Sequence, residues 1–425
     1  VGFQAHHAIV DTNIVVWKRL WTCKGSQEIR SLSPDNNRVV YAVLCIVLMD
    51  MVIGDALAIA VNDPDLNVSE EGLGQTVKIG AIYNLEGSQS PLDLPSANGA
   101  MLAVKEINAH GGINGREIEL ILCDGESDSA KVRGCAEGLI EKNVSAIMGL
   151  SDTDMVLAAV PAASAAGIPF VTSGATSPEL PEEYHGLFLA CFGDNVQAAA
   201  TAEYACNEMG LKSCTLLVDG DMEFARVLAG SFKERYLGLR GEIIRESFVN
   251  SMDLVNLSQA ILDEDPDMIY LAAGPEDAAY IIEILRKTGI QSPIFGGDSF
   301  DSPELKMAGM GSIVFSTHAL LDENSSSAGD FVRAYRAEYG YPPENAFSAL
   351  GYDTVNLLAD AIDRADPDNP SEVIEALLNT TGLKGVTGEI SYQSGSRIPN
   401  KDVTITLMTD GQITDSRIVR PETSV

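Results

Sequence analysis

The chain has 425 residues, enough for two domains with separate cores, and its 45% hydrophobic content is that of a globular protein. Its 28 Lys and Arg face 61 Asp and Glu, a formal net charge of −33. Such a surface repels phosphate backbones and anionic lipid headgroups, which excludes nucleic acid and acidic membranes as natural partners.

In chain order, residues 1–37 carry no readable signal and form an unassigned N-terminal extension. Arg38 precedes the uncharged run Val39–Met49, and Ala58-Ile59-Ala60 follows it, so residues 38–60 read as a secretory signal with the mature chain starting near Val61. The alternative, a membrane anchor over the same region, would place Asp50 and Asp55 in lipid at roughly 2.5–3.5 kcal/mol each. Residues 61–76 are a linker.

From Val77 short apolar runs alternate with helical patterns. VKIGAIY predicts a strand, Ala97 to Ala109 a helix, EIELILC a strand, 129–142 a helix, SAIMGL a strand, 154–166 a helix and IPFVT a strand. The rhythm resumes with SCTLLV, a helix at 223–237, EIIRESFV, a helix at 253–264, DMIYLAA, a helix at 276–288 and PIFGG. This spacing predicts βαβ units and parallel sheets covered by helices on both faces. Ligands on such sheets bind at the carboxyl ends of strands, where helix N-termini offer unpaired N–H groups.

Two loops at those ends carry suitable chemistry. Ser151-Asp152-Thr153-Asp154 opens one helix. Thr172 to Glu179 follows IPFV, with Ser177 expected as an N-cap and Pro178 as the first helical residue. Together they predict converging hydroxyls and amides, a good setting for a carboxylate.

Of the seven cysteines, five lie beyond the N-terminal stretch: Cys123, Cys135, Cys191, Cys206 and Cys214. The favoured reading is five small buried apolar residues, with a Cys206–Cys214 bridge as the alternative. The histidines show no zinc-ligand spacing, so no metal or other cofactor is expected. No Gly-x-Ser-x-Gly elbow or Walker loop occurs, and Glu106, Asp124 and Asp128 read as helix and turn residues rather than paired catalytic acids. The chain is therefore expected to have no catalytic residues and not to be an enzyme.

AVKEINAHGGINGREIEL (103–120), AAGIPFVTSGATSPEL (165–180), FARVLAGSFK (224–233), FGGDSFDSPEL (295–305) and ALGYDTVNLLADAI (349–362) together resemble the type I periplasmic binding family, in its leucine/isoleucine/valine-binding branch of ABC-transporter receptors. The resemblance implies an α/β fold of two doubly wound parallel-sheet lobes joined by a three-crossing hinge. Lobe I is expected at 77–193 and 322–398, and lobe II at 194–321 and 399–425. It implies an exported, secreted, periplasmic or cell-surface monomer that captures an amino acid or analogue and delivers it to an ABC permease. A ligand-sensing regulator of the same fold, binding an amide or small carboxylic acid, is the alternative.

Position by position, the resemblance places Thr153 on the ligand's carboxylate, the Gly174-Ala175-Thr176 turn on both its carboxylate and its ammonium, and Asp298 on its α-ammonium. Phe224 and Phe347 would line the side-chain pocket. Leu92 and Gly274 stand where relatives carry an aromatic ring and a tyrosine, and Leu189 replaces a common arginine, which puts branched-chain specificity in doubt.

Overall fold

A computed structural model describes residues 76–421 apart from 250–252, 308 and 326–327. The N-terminal extension, the expected signal or anchor and residues 61–75 of the expected linker lie outside these residues.

The first five strands are β1 (Val77–Tyr83), β2 (Ile118–Asp124), β3 (Ala146–Gly149), β4 (Phe170–Thr172) and β5 (Leu187–Leu189). They form one sheet in the order β2-β1-β3-β4-β5, all parallel. β1, β3, β4 and β5 are almost wholly buried, which is why they read as continuous apolar runs rather than alternating ones. Helices α1 (Ser90–Ala109), α2 (Ser129–Glu141), α3 (Thr153–Ala166) and the single-turn α4 (Leu180–Glu183) connect them.

The chain then runs through α5 (Asp194–Glu203) into a second sheet. This alternates β6 (Ser213–Val218), α6 (Glu223–Gly238), β7 (Glu242–Phe248), α7 (Leu254–Glu264), β8 (Met268–Ala272), α8 (Pro275–Thr288), β9 (Ile294–Gly296) and β10 (Ser312–Thr317). After β10 it returns to the first lobe as α9 (Gly329–Tyr339), α10 (Phe347–Asp363), α11 (Pro370–Leu378) and the hairpin β11 (Leu383–Gly385) and β12 (Gly388–Ile390). It crosses a third time to add β13 (Val403–Thr409) and β14 (Gln412–Val419), giving the order β14-β13-β10-β9-β8-β6-β7. The fold is thus the expected pair of α/β lobes with three crossings. The second sheet departs from parallel at one edge: β13 pairs antiparallel with β10, and β14 with β13.

Local chemistry sets several boundaries. α1 starts at Ser90, not Ala97, because Pro91 is tolerated in a first turn. Pro95 cannot donate to the Pro91 carbonyl, and the Asn345 side-chain amide does so instead at 2.9 Å. Ser177 does not cap a helix beginning at Pro178: that segment is a turn, and α4 starts at Leu180 behind Glu179. α1 and α10 pack backbone to backbone, since a Cβ on Gly99 would lie 1.7 Å from the Ser348 carbonyl oxygen and one on Gly351 1.9 Å from that of Ser96. No helix among the described residues is long and apolar enough to cross a membrane.

The cysteine reading needs correction. Cys123 in β2 and Cys135 in α2 form a disulfide, while Cys191, Cys206 and Cys214 are buried free thiols. β2 is an edge strand, and α2 folds back along it, bringing together two residues 12 apart. Burial raises the pKa of Cys206 and Cys214, as expected for inert structural thiols. Replacing both Cys123 and Cys135 by Ser should lower the unfolding free energy by about 2–4 kcal/mol. The measurement is the denaturant midpoint under oxidising conditions, and ligand affinity should not change, because the bridge staples an outer edge.

Candidate functional site

The carboxyl ends of β3 and β4 carry the two loops singled out in the sequence. Asp152 caps α3 through the Met155 amide at 3.1 Å, which fixes the approach of Ser151 and Thr153. Thr172 ties the loops together: its hydroxyl donates to the Leu150 carbonyl at 2.9 Å and accepts from the Ala175 amide at 3.0 Å. The Thr153 hydroxyl is buried and has no hydrogen-bond partner among the described residues, whereas the Ser151 hydroxyl lies beside the buried Asp93 carboxyl and offsets part of its desolvation. A buried hydroxyl left unpaired is costly, so Thr153 marks a place suited to an acceptor from outside the chain. Gly174 sits under the Phe347 ring, where a Cβ would come within 2.7 Å of a ring carbon. Thr176 differs: its hydroxyl donates to Asp194 at 2.7 Å, inside the protein.

That bond leads into a buried polar network. The Gln197 amide nitrogen donates to Asp194 at 2.8 Å and to Asp298 at 3.0 Å. Its carbonyl oxygen accepts from the Asp298 backbone at 3.0 Å and from Ser316 at 2.6 Å. Asp298 follows β9 and is 2% exposed, and its second oxygen accepts from His318 Nε2 at 2.9 Å. The sequence reading missed Gln197, Asp194 and His318. Gln197 is one polar residue in the run NVQAAATAE, and only its complete burial distinguishes it.

Leu92, Phe224, Gly274, Asp298 and Phe347 line one void together with Ser151, at the meeting of the lobes. Its volume is about 10 Å3, room for about one water, so a larger ligand enters only when the lobes part. Thr153 and the Gly174–Thr176 turn stand behind its wall and are not among the residues facing it. Leu189 is fully buried in β5 and points no polar group at the cleft.

Outward from this void, and sharing Gln89, Asp152, Met222, Gly274 and Pro275 with it, lies a cavity of about 250 Å3. Asp152, Asp154, Asp219, Asp221, Glu276 and Asp277 line it, with no lysine or arginine among its walls. A cleft of one sign concentrates cations and repels anions at its mouth. No group of three or more His, Cys, Asp or Glu among the described residues is arranged to hold a metal ion.

Two aspartates bridge the lobes. Asp154, in α3 of the first lobe, accepts from the Glu223 amide at the start of α6 in the second, at 3.0 and 3.2 Å. α6 has no cap of its own, because Met222 occupies the N-cap position. Asp301 in the second lobe likewise accepts from the Ala346 amide, at the start of α10, at 3.0 Å. Each lobe therefore caps a helix of the other, and a charge-assisted cap of this kind exists only while the cleft is shut.

Burial raises three carboxyls around the site: Asp93 to about 6, Asp152 to about 7 and Asp194 to about 8. Desolvation is the main cause in each. For Asp194 the Asp298 charge adds to it, and for Asp152 the Asp154 charge does.

The family model described as "Periplasmic binding protein" matches residues 76–412. The "Leu/Ile/Val-binding protein homolog 1" of Brucella abortus (strain 2308) is 25% identical over 300 residues, covering 69% of this chain and 80% of the relative. Among solved structures, the branched-chain amino acid transporter substrate binding protein of Streptococcus pneumoniae, in complex with isoleucine, is 31% identical with a TM-score of 0.75. The match covers 81% of this chain and all of that one, a coverage of 100%. A solute binding protein from R. palustris in complex with benzoate shares the fold at 20% identity and a TM-score of 0.70, over 81% of this chain and 97% of that one.

Two outcomes follow from this geometry. Asp154→Ala removes the cap that α3 lends to α6 without touching the void, so it should weaken ligands of equal charge by one common factor, about 0.5–2 kcal/mol. Titration calorimetry with two zwitterionic ligands of unlike side chain checks this, and unequal losses would place Asp154 in direct ligand contact. The raised carboxyls set a pH trend as well. Their folded pKa values lie above the unfolded ones, so their contribution to stability is full below about pH 4 and is lost as pH rises to about 8. The ligand-free protein should therefore melt at a higher temperature at pH 5 than at pH 8, and Asp194→Asn should flatten that slope.

Proposed function

The chain belongs to the periplasmic binding protein family, and from that membership we propose that it is an extracytoplasmic receptor that closes on an amino acid and presents it to an ABC permease. The observation that carries this reading is Asp298, a buried carboxylate at a strand end, facing a void whose opposite wall holds the buried Ser151 hydroxyl. A zwitterion satisfies both sides. Its carboxylate would meet the Ser151 hydroxyl and the N-terminus of α3, with Thr153 and the Gly174–Thr176 turn behind that wall. Its ammonium meets Asp298 from the other lobe. Such a ligand binds the closed form better than the open one, because only closure brings both ends within reach, and that difference drives the closure.

The ligand's side chain would lie against Leu92, Phe224 and Phe347, a wall of apolar atoms. Gly274 leaves a Cβ-sized space beside Met222, whose sulfur would lie 3.5 Å from an added Cβ. The acid-lined mouth favours a ligand that carries an ammonium over a simple carboxylate, since it attracts the one and repels the other. The same argument separates this chain from the benzoate-bound neighbour, whose ligand has no positive end.

The decisive variant is Asp298→Asn. It keeps the size, and His318 tolerates it by presenting its other tautomer to the new amide. For an amino acid the affinity should fall by roughly 2–5 kcal/mol, the range for breaking a buried charge pair. For the des-amino analogue it should hold or improve. Calorimetric titration of both proteins with both ligands checks this. An unchanged amino-acid affinity would transfer the chain to the carboxylic-acid or amide readers of the same fold.

A further inference from the structure

The resemblance that points to Asp298 says nothing of what holds it. In the fold, Asp298 does not stand alone: one oxygen takes the Gln197 amide and the other takes His318 Nε2 at 2.9 Å. His318 is the residue after β10, at the second crossing between lobes. It is 4% exposed, in a chain where only five histidines occur. Its ring stacks on Phe192 at 4.0 Å and 25°, just before the first crossing. It meets the edge of Phe347 at 5.6 Å and 82°. Phe347 lines the void, so one imidazole touches the hinge, the pocket wall of the first lobe and the acid of the second.

The protonation of the ring is constrained. A carboxylate only accepts, so Nε2 carries a proton and donates it. Nδ1 is buried and has no hydrogen-bond partner among the described residues. A purely structural histidine is ordinarily satisfied at both nitrogens or replaced by an apolar ring. Here a Phe would stack equally well on Phe192 and leave no orphan atom. What the imidazole alone supplies is the N–H on Asp298.

We propose that His318 is the positioning residue of the site, which by donating Nε2–H to Asp298 from a ring clamped between Phe192 and Phe347 aims that carboxylate at the ligand's ammonium. The Gln197 amide fixes one oxygen and His318 the other, so the carboxylate plane cannot rotate. The clamp also makes the aim depend on closure, because Phe347 belongs to the first lobe and Asp298 to the second. The proposal rests on the reading of Asp298 as the ammonium partner.

The test compares leucine with its des-amino analogue 4-methylpentanoate on the wild type, His318→Phe, His318→Gln and Asp298→Asn, by titration calorimetry of the whole mature chain. The readout is the ratio of the two affinities within each protein, which cancels any common loss of closure or of folded fraction. His318→Phe keeps the stacked ring and loses the donor, and should lower the leucine preference by about tenfold, the usual effect of losing a bond to a charged group. His318→Gln restores an amide donor and should return the ratio towards the wild-type value. Equal losses for both ligands in His318→Phe, an unchanged ratio, or no rescue by Gln would each overturn the positioning role while leaving the amino-acid reading intact. An Asp298→Asn ratio equal to wild type, or a wild type that binds neither ligand, overturns that reading and this proposal with it.

Discussion

One buried amide organises the site. Gln197 is fully enclosed, and both its donor and its acceptor are shared between two elements: Asp194 and Asp298 on the nitrogen, the Asp298 backbone and Ser316 on the oxygen. Gln197 lies in α5, immediately after the first crossing, while Asp298 follows β9 and Ser316 lies in β10, which leads to the second. The geometry of the crossings and the direction of the Asp298 carboxylate are therefore set together. A half-satisfied amide at this depth would be worse than an apolar residue, which is why the network has to be complete around it. The third crossing is anchored in the same manner: buried Lys401 donates to the Thr387 hydroxyl at 2.6 Å, and Thr387 donates to buried Asp353 at 2.6 Å.

The network places acids where they repel one another, and the molecule accommodates this by protonation. Asp194 and Asp298 share the Gln197 amide, and Asp194, pushed up to about 8, is the one that holds a proton at neutral pH. Asp298 accepts from the Gln197 amide on one oxygen and from His318 on the other.

Closure draws on a different set of contacts. Two helix N-termini at the cleft, those of α6 and α10, take a carboxylate from the opposite lobe, Asp154 for α6 and Asp301 for α10. These bonds are blind to the ligand's identity. On the proposed reading, selection falls to Asp298 and the apolar wall, apart from the general stability of the shut form. The acid-lined mouth adds a long-range bias towards ligands with a positive end, and that bias weakens as salt screens it.

The sequence by itself determined the alternation of strands and helices, the two hydroxyl-bearing loops and the two-lobed class. These follow from local periodicity and from caps written within a few residues of each other, as at Asp128 and Asp152. It also drew Leu92, Phe224, Gly274, Asp298 and Phe347 to one site, through a resemblance whose motifs span most of the chain. Tertiary structure decided the rest. Ser177 does not open a helix, and Thr176 spends its hydroxyl on Asp194. Cys123 meets Cys135 because a helix folds back along an edge strand. Asp298 is held by Gln197 across 101 residues and by His318 across 20. Interactions of that kind depend on how the crossings bring distant segments together, and no spacing rule along the chain encodes which buried donor will meet which buried acceptor.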